Sequence, residues 1–233
     1  ASIRASVDAI SDTEICDVSD AAGRVLAQDV YAAAPVPPVA KSAMDGYAVL
    51  ADDVPGTLTV SQQVFAGYAA EPLVPGTCAR IYTGSVLPTG ADTVIMQEEV
   101  ERHGDDVTFS APVNRGNNVR VAGCDIAQGD LVASAGKVLT AADIALLSLI
   151  GASTVEVKRR LVIGVFSTGD ELVSSGAELV SDWQLVDSNR PQIKALLTHM
   201  GFEVVDLGIQ RDDKGTLEKV TGSLICGGTV GRA

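Results

Sequence analysis

Leu161-Val-Ile-Gly-Val-Phe166 is an unbroken apolar run that stops at once in Ser167-Thr-Gly169, with Asp170 and Glu171 directly after it. A run of this kind suits a strand covered on both faces of a parallel sheet and suits an alternating surface strand poorly. It constrains the fold more than any other stretch. A parallel strand needs a crossover to its partner, and the residues that follow it stand at the carboxyl end, where open α/β sheets bind ligands. Two carboxylates at that edge are costly unless a cation meets them. The competing reading is a helix start, with Asp170 as cap and Glu171 in the first turn.

The residues downstream favour the ligand reading. Asn189-Arg-Pro191 opens a helix with Ile193, Leu196, Leu197 and Met200 on one face, Gly201 ends it, and Phe202 to Leu207 supplies the next strand. Strand, loop, helix, strand predicts a right-handed βαβ unit. Its loops put Asp170 and Glu171, then Asp187, then Asp212 with Asp213, on the carboxyl side of the sheet. Such a set suits Mg²⁺, which takes few carboxylates together with waters and substrate phosphates. The helix start at Asn189 could itself hold an anion.

Upstream the texture differs. Ser19 to Ala27 reads as a short capped helix and Gln28 to Tyr31 as an extended piece. Ala34-Pro-Val-Pro-Pro-Val39 predicts a stiff connector and a boundary. From Ser42 to about Ile126 short strands recur. Leu58, Val60, Gln62 and Val64 alternate with Thr59, Ser61, Gln63 and Phe65, and further runs fall at Thr77–Tyr82, Thr93–Met96 and Val107–Phe109, with turn formers between them. Leu139 to Gly151 is a helix with Thr140 as N-cap and Asp143 three residues on, and Val155 to Lys158 a strand. The expected architecture is a mixed α/β multidomain chain. Residues 1–31 and 129–160 form a small mixed module, 32–128 a β-rich domain, and 161–233 an incomplete α/β domain with a parallel sheet.

With 30 acidic against 17 basic residues the formal charge is −13, which repels phosphate backbones and anionic lipid surfaces. Neither nucleic acid nor a membrane is an expected partner. No apolar run reaches the ~18 residues needed to span a bilayer, and the four cysteines lie too far apart for a zinc or disulfide pattern, which favours a cytoplasmic setting. His103 and His199 read as surface or structural. Tyr47, Tyr82 and Trp183 could stack on a flat ligand, although single aromatics usually serve packing.

Several strings carry a resemblance: Ser42-Ala-Met-Asp-Gly-Tyr-Ala-Val49, Arg80-Ile-Tyr-Thr-Gly84, Pro88 to Glu98, Asn118 to Ile126, Phe166-Ser-Thr-Gly-Asp-Glu-Leu172 and Asp187-x-Asn-Arg190. Together they resemble the molybdopterin molybdenumtransferase family, which includes the catalytic domain of the receptor scaffold gephyrin. The resemblance implies an α/β molybdopterin-binding domain and a homodimer whose active site lies between that domain of one subunit and the β domain of the other. It implies adenylylated molybdopterin, from a molybdopterin adenylyltransferase, and molybdate as substrates, molybdenum cofactor and AMP as products, and Mg²⁺. By motif matching, catalytic roles fall on Asp45, Asp125, Glu171 and Asp212, with Glu171 and Asp212 on the metal. Substrate binding falls on Thr83, Arg120, Ser167, Thr168, Asp187 and Asn189.

Two departures bear on this. Many relatives carry an Arg-rich string where this chain has Arg120-Val-Ala-Gly-Cys-Asp125, which removes positive charge near an expected anion site. Leu224 to Gly231 resembles the family's next apolar strand and turn, and the chain stops soon after it, so turnover by these residues alone is not expected. A non-catalytic scaffold or dimerisation module derived from the family is the alternative function.

Overall fold

The computed structural model describes residues 10–178 and 180–226, and in 221–226 the backbone alone. The chain divides into two compact units, residues 15–156 and residues 157–233 together with those before 15.

Strand β1 (Thr13–Asp17) runs into the first unit, where β2 (Val30–Tyr31) and β3 (Lys41–Ser42) lead into six strands: β4 (Gly46–Val49), β5 (Gly56–Val64), β6 (Thr77–Ile81), β7 (Thr93–Met96), β8 (Val100–His103) and β9 (Asp106–Phe109). β10 (Val119–Arg120), β11 (Leu131–Ala133), helix α1 (Ala141–Leu149) and β12 (Thr154–Lys158) follow. The six strands form one sheet in the order β7-β4-β6-β5-β9-β8, in which only β5 and β6 run parallel. Its two faces carry separate cores, Tyr47, Val49, Leu58, Cys78, Ile95, Val107 and Phe109 on one, and Ala48, Val64, Ala79, Ile81 and Val94 on the other. β10 pairs with β3, β11 with β2 and β12 with β1.

The alternation expected in β5 holds only to Val60. A register shift against β6 between Val60 and Gln62 turns the rest of the strand over, so Leu58 and Val64, six residues apart, reach opposite cores. A bulge adds one residue and so reverses every side chain beyond it.

The helix expected over Ser19 to Ala27 is replaced by a 3-10 turn at Val18–Asp20, a positive φ of 77° at Gly23 and a bridge from Val25 to Val138. Its amides are taken by distant carbonyls: Gly23 donates to Leu139, Leu26 to Lys137 and Ala27 to Glu156. The proline-rich segment is paired too, since Val36 donates to Ile126 and the Gly123 amide donates to Pro37. Helix α1 has the expected cap. The Thr140 hydroxyl and the Asp143 carboxylate exchange bonds with each other's backbone amides, and Gly151 follows with φ of 80°.

The second unit holds β13 (Val162–Thr168), β14 (Leu172–Val173), β15 (Leu185–Val186), α2 (Asn189–His199), β16 (Glu203–Gln210) and α3 (Lys214–Cys226). β13 and β16 pair in parallel with α2 between them in sequence, the βαβ unit the sequence predicts. Burial departs from expectation. In the run 161–166 only Val165 is buried, because β13 has one partner strand among the described residues. Ile193 and Leu196 on α2 and Met200 at its C-cap are exposed. The strand expected from Leu224 is also absent as far as the structure goes: residues 224–226 finish α3, and 227–231 lie outside the described residues.

Candidate functional site

The expected site residues fall into two sets, one in each unit.

In the first unit, Asp45 precedes β4 and Thr83 follows β6. Gly46 pairs with Ile81, so both emerge at the same edge of the sheet. Thr83 donates its backbone N–H and its hydroxyl to one oxygen of Asp45, each at 2.8 Å. These bonds, the backbone one foremost, hold the Asp45 carboxyl below the usual range, with a smaller contribution from the Arg80 charge. The string around Asp45 is built for this placement. Ser42, 1% exposed, closes the turn by donating to the Met44 carbonyl at 2.6 Å, and Tyr47 packs edge-on against Phe109. Gly46 has no room for a side chain, since a Cβ there would lie 1.9 Å from the Ile95 carbonyl oxygen.

Arg120 and Asp125 meet in an ion pair, with the Cys124 thiol 3.5 Å from the other Asp125 oxygen. Arg120 keeps the Asp125 carboxyl low, and Asp125 raises the guanidinium. Arg120, expected among the substrate-binding residues, meets a carboxylate of its own chain. Both side chains are largely exposed, so the pair contributes little to stability.

In the second unit, β13 and β16 end together, Thr168 opposite Gln210. Beyond them lies a cavity of about 440 Å³ lined by Gly169, Asp170, Leu172, Ile209, Gln210 and Arg211. Neither Asp170 nor Glu171 starts a helix, so the capping reading is set aside: β14 begins directly at Leu172. Glu171 folds back over Gly169, whose φ is 149° and where an added Cβ would lie 2.6 Å from Glu171 Oε2. Asp213 accepts from the Thr216 amide and hydroxyl at the start of α3, while its neighbour Asp212 stays exposed just past β16.

Asp187 sits inside a hydrogen-bonded network of its own chain. It is 3% exposed and accepts from the Ser167 hydroxyl at 3.0 Å, the Arg190 amide at 3.2 Å and Arg190 Nε at 2.8 Å. Burial pushes its carboxyl up, but the bonds from Arg190 and Ser167 outweigh that and leave it low. Arg190 also pairs with Asp206, which accepts from the Gly208 amide and from Lys194 and is held at about 2, with the Gly208 bond as first cause. Asp187 thus ties the end of β13 to the start of α2. Asn189 and Thr168 are exposed at the same edge. Sequence reasoning missed Asp206, and its one signal was a carboxylate inside the apolar strand Val204-Val205-Asp206-Leu207.

Among the described residues no three or more His, Cys, Asp or Glu converge as a metal cluster. The described residues therefore offer no all-protein cage. Two exposed carboxylates beyond parallel strands fit Mg²⁺ completed by waters and phosphate oxygens, and fit zinc poorly.

The model of the MoeA N-terminal region (domain I and II) matches residues 1–151, and that of a probable molybdopterin binding domain matches residues 164–225. The molybdopterin molybdenumtransferase of Haemophilus influenzae is 40% identical over 213 residues, 90% of this chain and 52% of its own length. That of Nostoc sp. is 37% identical over 232 residues, 96% of this chain and 53% of its own length. The crystal structure of the molybdopterin biosynthesis MoeA protein from Pyrococcus horikoshii matches with a TM-score of 0.85 at 34% identity, covering 95% of this chain and 58% of that one. The chain spans about half the length of the curated relatives it matches.

Proposed function

The chain belongs to the MoeA family, and from that premise we propose that the whole protein acts in molybdenum cofactor biosynthesis, inserting molybdate into adenylylated molybdopterin with release of AMP. The observation that supports this reading is that Thr83 fixes Asp45 at one end of the β sheet while Glu171 and Asp212 stand exposed just past the ends of β13 and β16.

Within that reading the residues divide the work. Glu171 and Asp212 would hold Mg²⁺, which would supply positive charge to phosphate oxygens at the strand ends. Ser167, Thr168 and Asn189 line the strand ends where the substrate's phosphate rests, and Asp187 acts one step back by fixing the Ser167 hydroxyl and the start of α2. Asp45, low in pKa, accepts hydrogen bonds from the substrate, with Thr83 orienting it. Asp125 and Arg120 act as a pair, so an arriving oxyanion competes with Asp125 for the guanidinium.

The reading extends to a cytoplasmic homodimer, the two sets meeting across subunits, supplied by a molybdopterin adenylyltransferase, with no role for nucleic acid or a membrane. It keeps the three-part division at 31/32, 128/129 and 160/161. A scaffold that has lost turnover is not favoured, since the relatives are named as transferases. The test is molybdate-dependent consumption of adenylylated molybdopterin by the full-length protein, with Mg²⁺ supplied and withheld. Consumption that needs both supports the enzyme; none under either condition returns the protein to the scaffold reading.

A further inference from the structure

Arg80 is 8% exposed, and no described carboxylate lies within ion-pair distance of it. Its guanidinium donates to the carbonyls of Gly46 at 2.7 Å and Ile81 at 3.4 Å and to the Gln97 side chain, and it lies 4.6 Å from the Tyr82 ring centroid and 5.2 Å from that of Tyr47. All these partners are neutral, so dipoles and two ring faces meet the buried charge. Tyr82 stacks in turn on Phe65, centroids 5.0 Å apart and planes within 10°. The result is a column, Phe109-Tyr47-Arg80-Tyr82-Phe65, buried at its inner end and 48% exposed at Phe65.

The bulge in β5 is what brings Phe65 onto this face. Val64 pairs with Ile81, so Phe65 and Tyr82 leave the sheet side by side at the edge where Asp45 enters it. Aromatic residues are 4% of the chain, yet two are held here as a parallel stack with one side covered and the other open. Beside them Asp45 is held low in pKa, and the Thr83 bonds use only Oδ1, leaving Oδ2 without a described donor.

We propose that the outer face of Phe65, backed by Tyr82, binds a flat heteroaromatic ring and that Asp45 Oδ2 accepts from that ring's N–H edge. Stacking on a held ring is favourable for any flat base, and a carboxylate oxygen selects rings with N–H donors at the rim. The 2-amino-4-oxopyrimidine edge of a pterin has adjacent N–H donors. This inference rests on the molybdopterin reading, since the substrate named there carries such a ring.

The probe is free pterin (2-amino-4-oxopteridine), whose fluorescence a stacked ring quenches, with the 2,4-dioxo analogue lumazine, which lacks the amino group, as comparison. The full chain quenches pterin saturably and binds it more tightly than lumazine. Phe65→Ala weakens pterin binding about tenfold, Phe65→Trp retains it, and Asp45→Asn removes the preference over lumazine. Circular dichroism checks that each variant is folded. No saturable quenching at millimolar pterin, or an unchanged affinity in folded Phe65→Ala, overturns the platform, and equal affinity for lumazine overturns the role of Asp45. Turnover without a Phe65-dependent ring site sinks this inference alone, and a Phe65-dependent ring site in a full-length protein without turnover sinks the function alone.

Discussion

The carbonyl oxygen of Ile95 lies 1.9 Å from where a Cβ on Gly46 would stand, so β4 approaches β7 more closely than any side chain at that position allows. The obstacle is the backbone of the edge strand β7 and cannot rotate away as a side chain could. Gly46→Ala is expected to cost about 3 kcal/mol, at the upper end for overpacking. Urea unfolding of the variant against wild type measures it, and a loss below about 1 kcal/mol would mean that the strands can part.

The Asp45 and Thr83 pair predicts a titration. Because the Asp45 carboxyl is lowered in the folded state, its bonds add stability above the unfolded carboxylate pKa, and this is lost as pH falls through the folded value. Thr83→Val removes the hydroxyl bond and keeps the larger backbone one. The Asp45 carboxyl, followed by carbon-13 NMR, should rise in this variant and still stay below its ordinary value.

Asp143 gives a pH signature at the cap of α1. The Lys137 ammonium first, then the Thr140 hydroxyl and amide, hold its carboxyl at about 2. Thr140→Ala should cost about 1 kcal/mol at pH 7. The sign is that of a depressed acid: stabilisation is full above about pH 4 and falls away toward pH 2. Melting curves for wild type and Asp143→Ala should therefore differ at neutral pH and converge near pH 2.

Arg190→Ala leaves Asp187 buried without its cation and should cost about 3 kcal/mol in denaturant unfolding. Arg190→Lys restores charge but cannot span Asp187 and Asp206 with a planar fork, so it should recover only part of the loss. Full recovery by lysine would show that charge alone matters there.

Gly169→Ala should act through its neighbour. The added methyl takes the space of the Glu171 carboxylate, and φ of 149° disfavours any side chain, at a cost of about 1–2 kcal/mol. In the full-length protein its turnover should fall as far as that of Glu171→Ala, while Glu171→Ala unfolds like wild type. A Gly169→Ala variant with normal turnover would place the working position of Glu171 elsewhere.

Where a few adjacent residues carry the signal, the amino-acid order determined the result by itself. Helix α1 lies between Thr140 and Gly151 because cap and terminator are local chemistry, and the βαβ unit and its carboxylates at the strand ends follow from short apolar runs broken by turn formers. Asp45, Thr83, Glu171 and Asp212 were legible as a motif string, though not the bonds that set them. Tertiary structure decided the rest. Residues 19–27 carry a helix pattern yet fold as a turn and a bridge, because their amides find carbonyls at 137, 139 and 156. Phe65 alternates away from Leu58 in sequence and reaches Tyr82 only because the ladder with β6 slips by one residue. Asp187 reads as a loop ligand and becomes an internal anchor once Ser167 and Arg190 close on it. The physical reason is common to all three: a period or a cap is written within one turn of chain, whereas strand register and the partners of a buried charge depend on segments brought together only by folding.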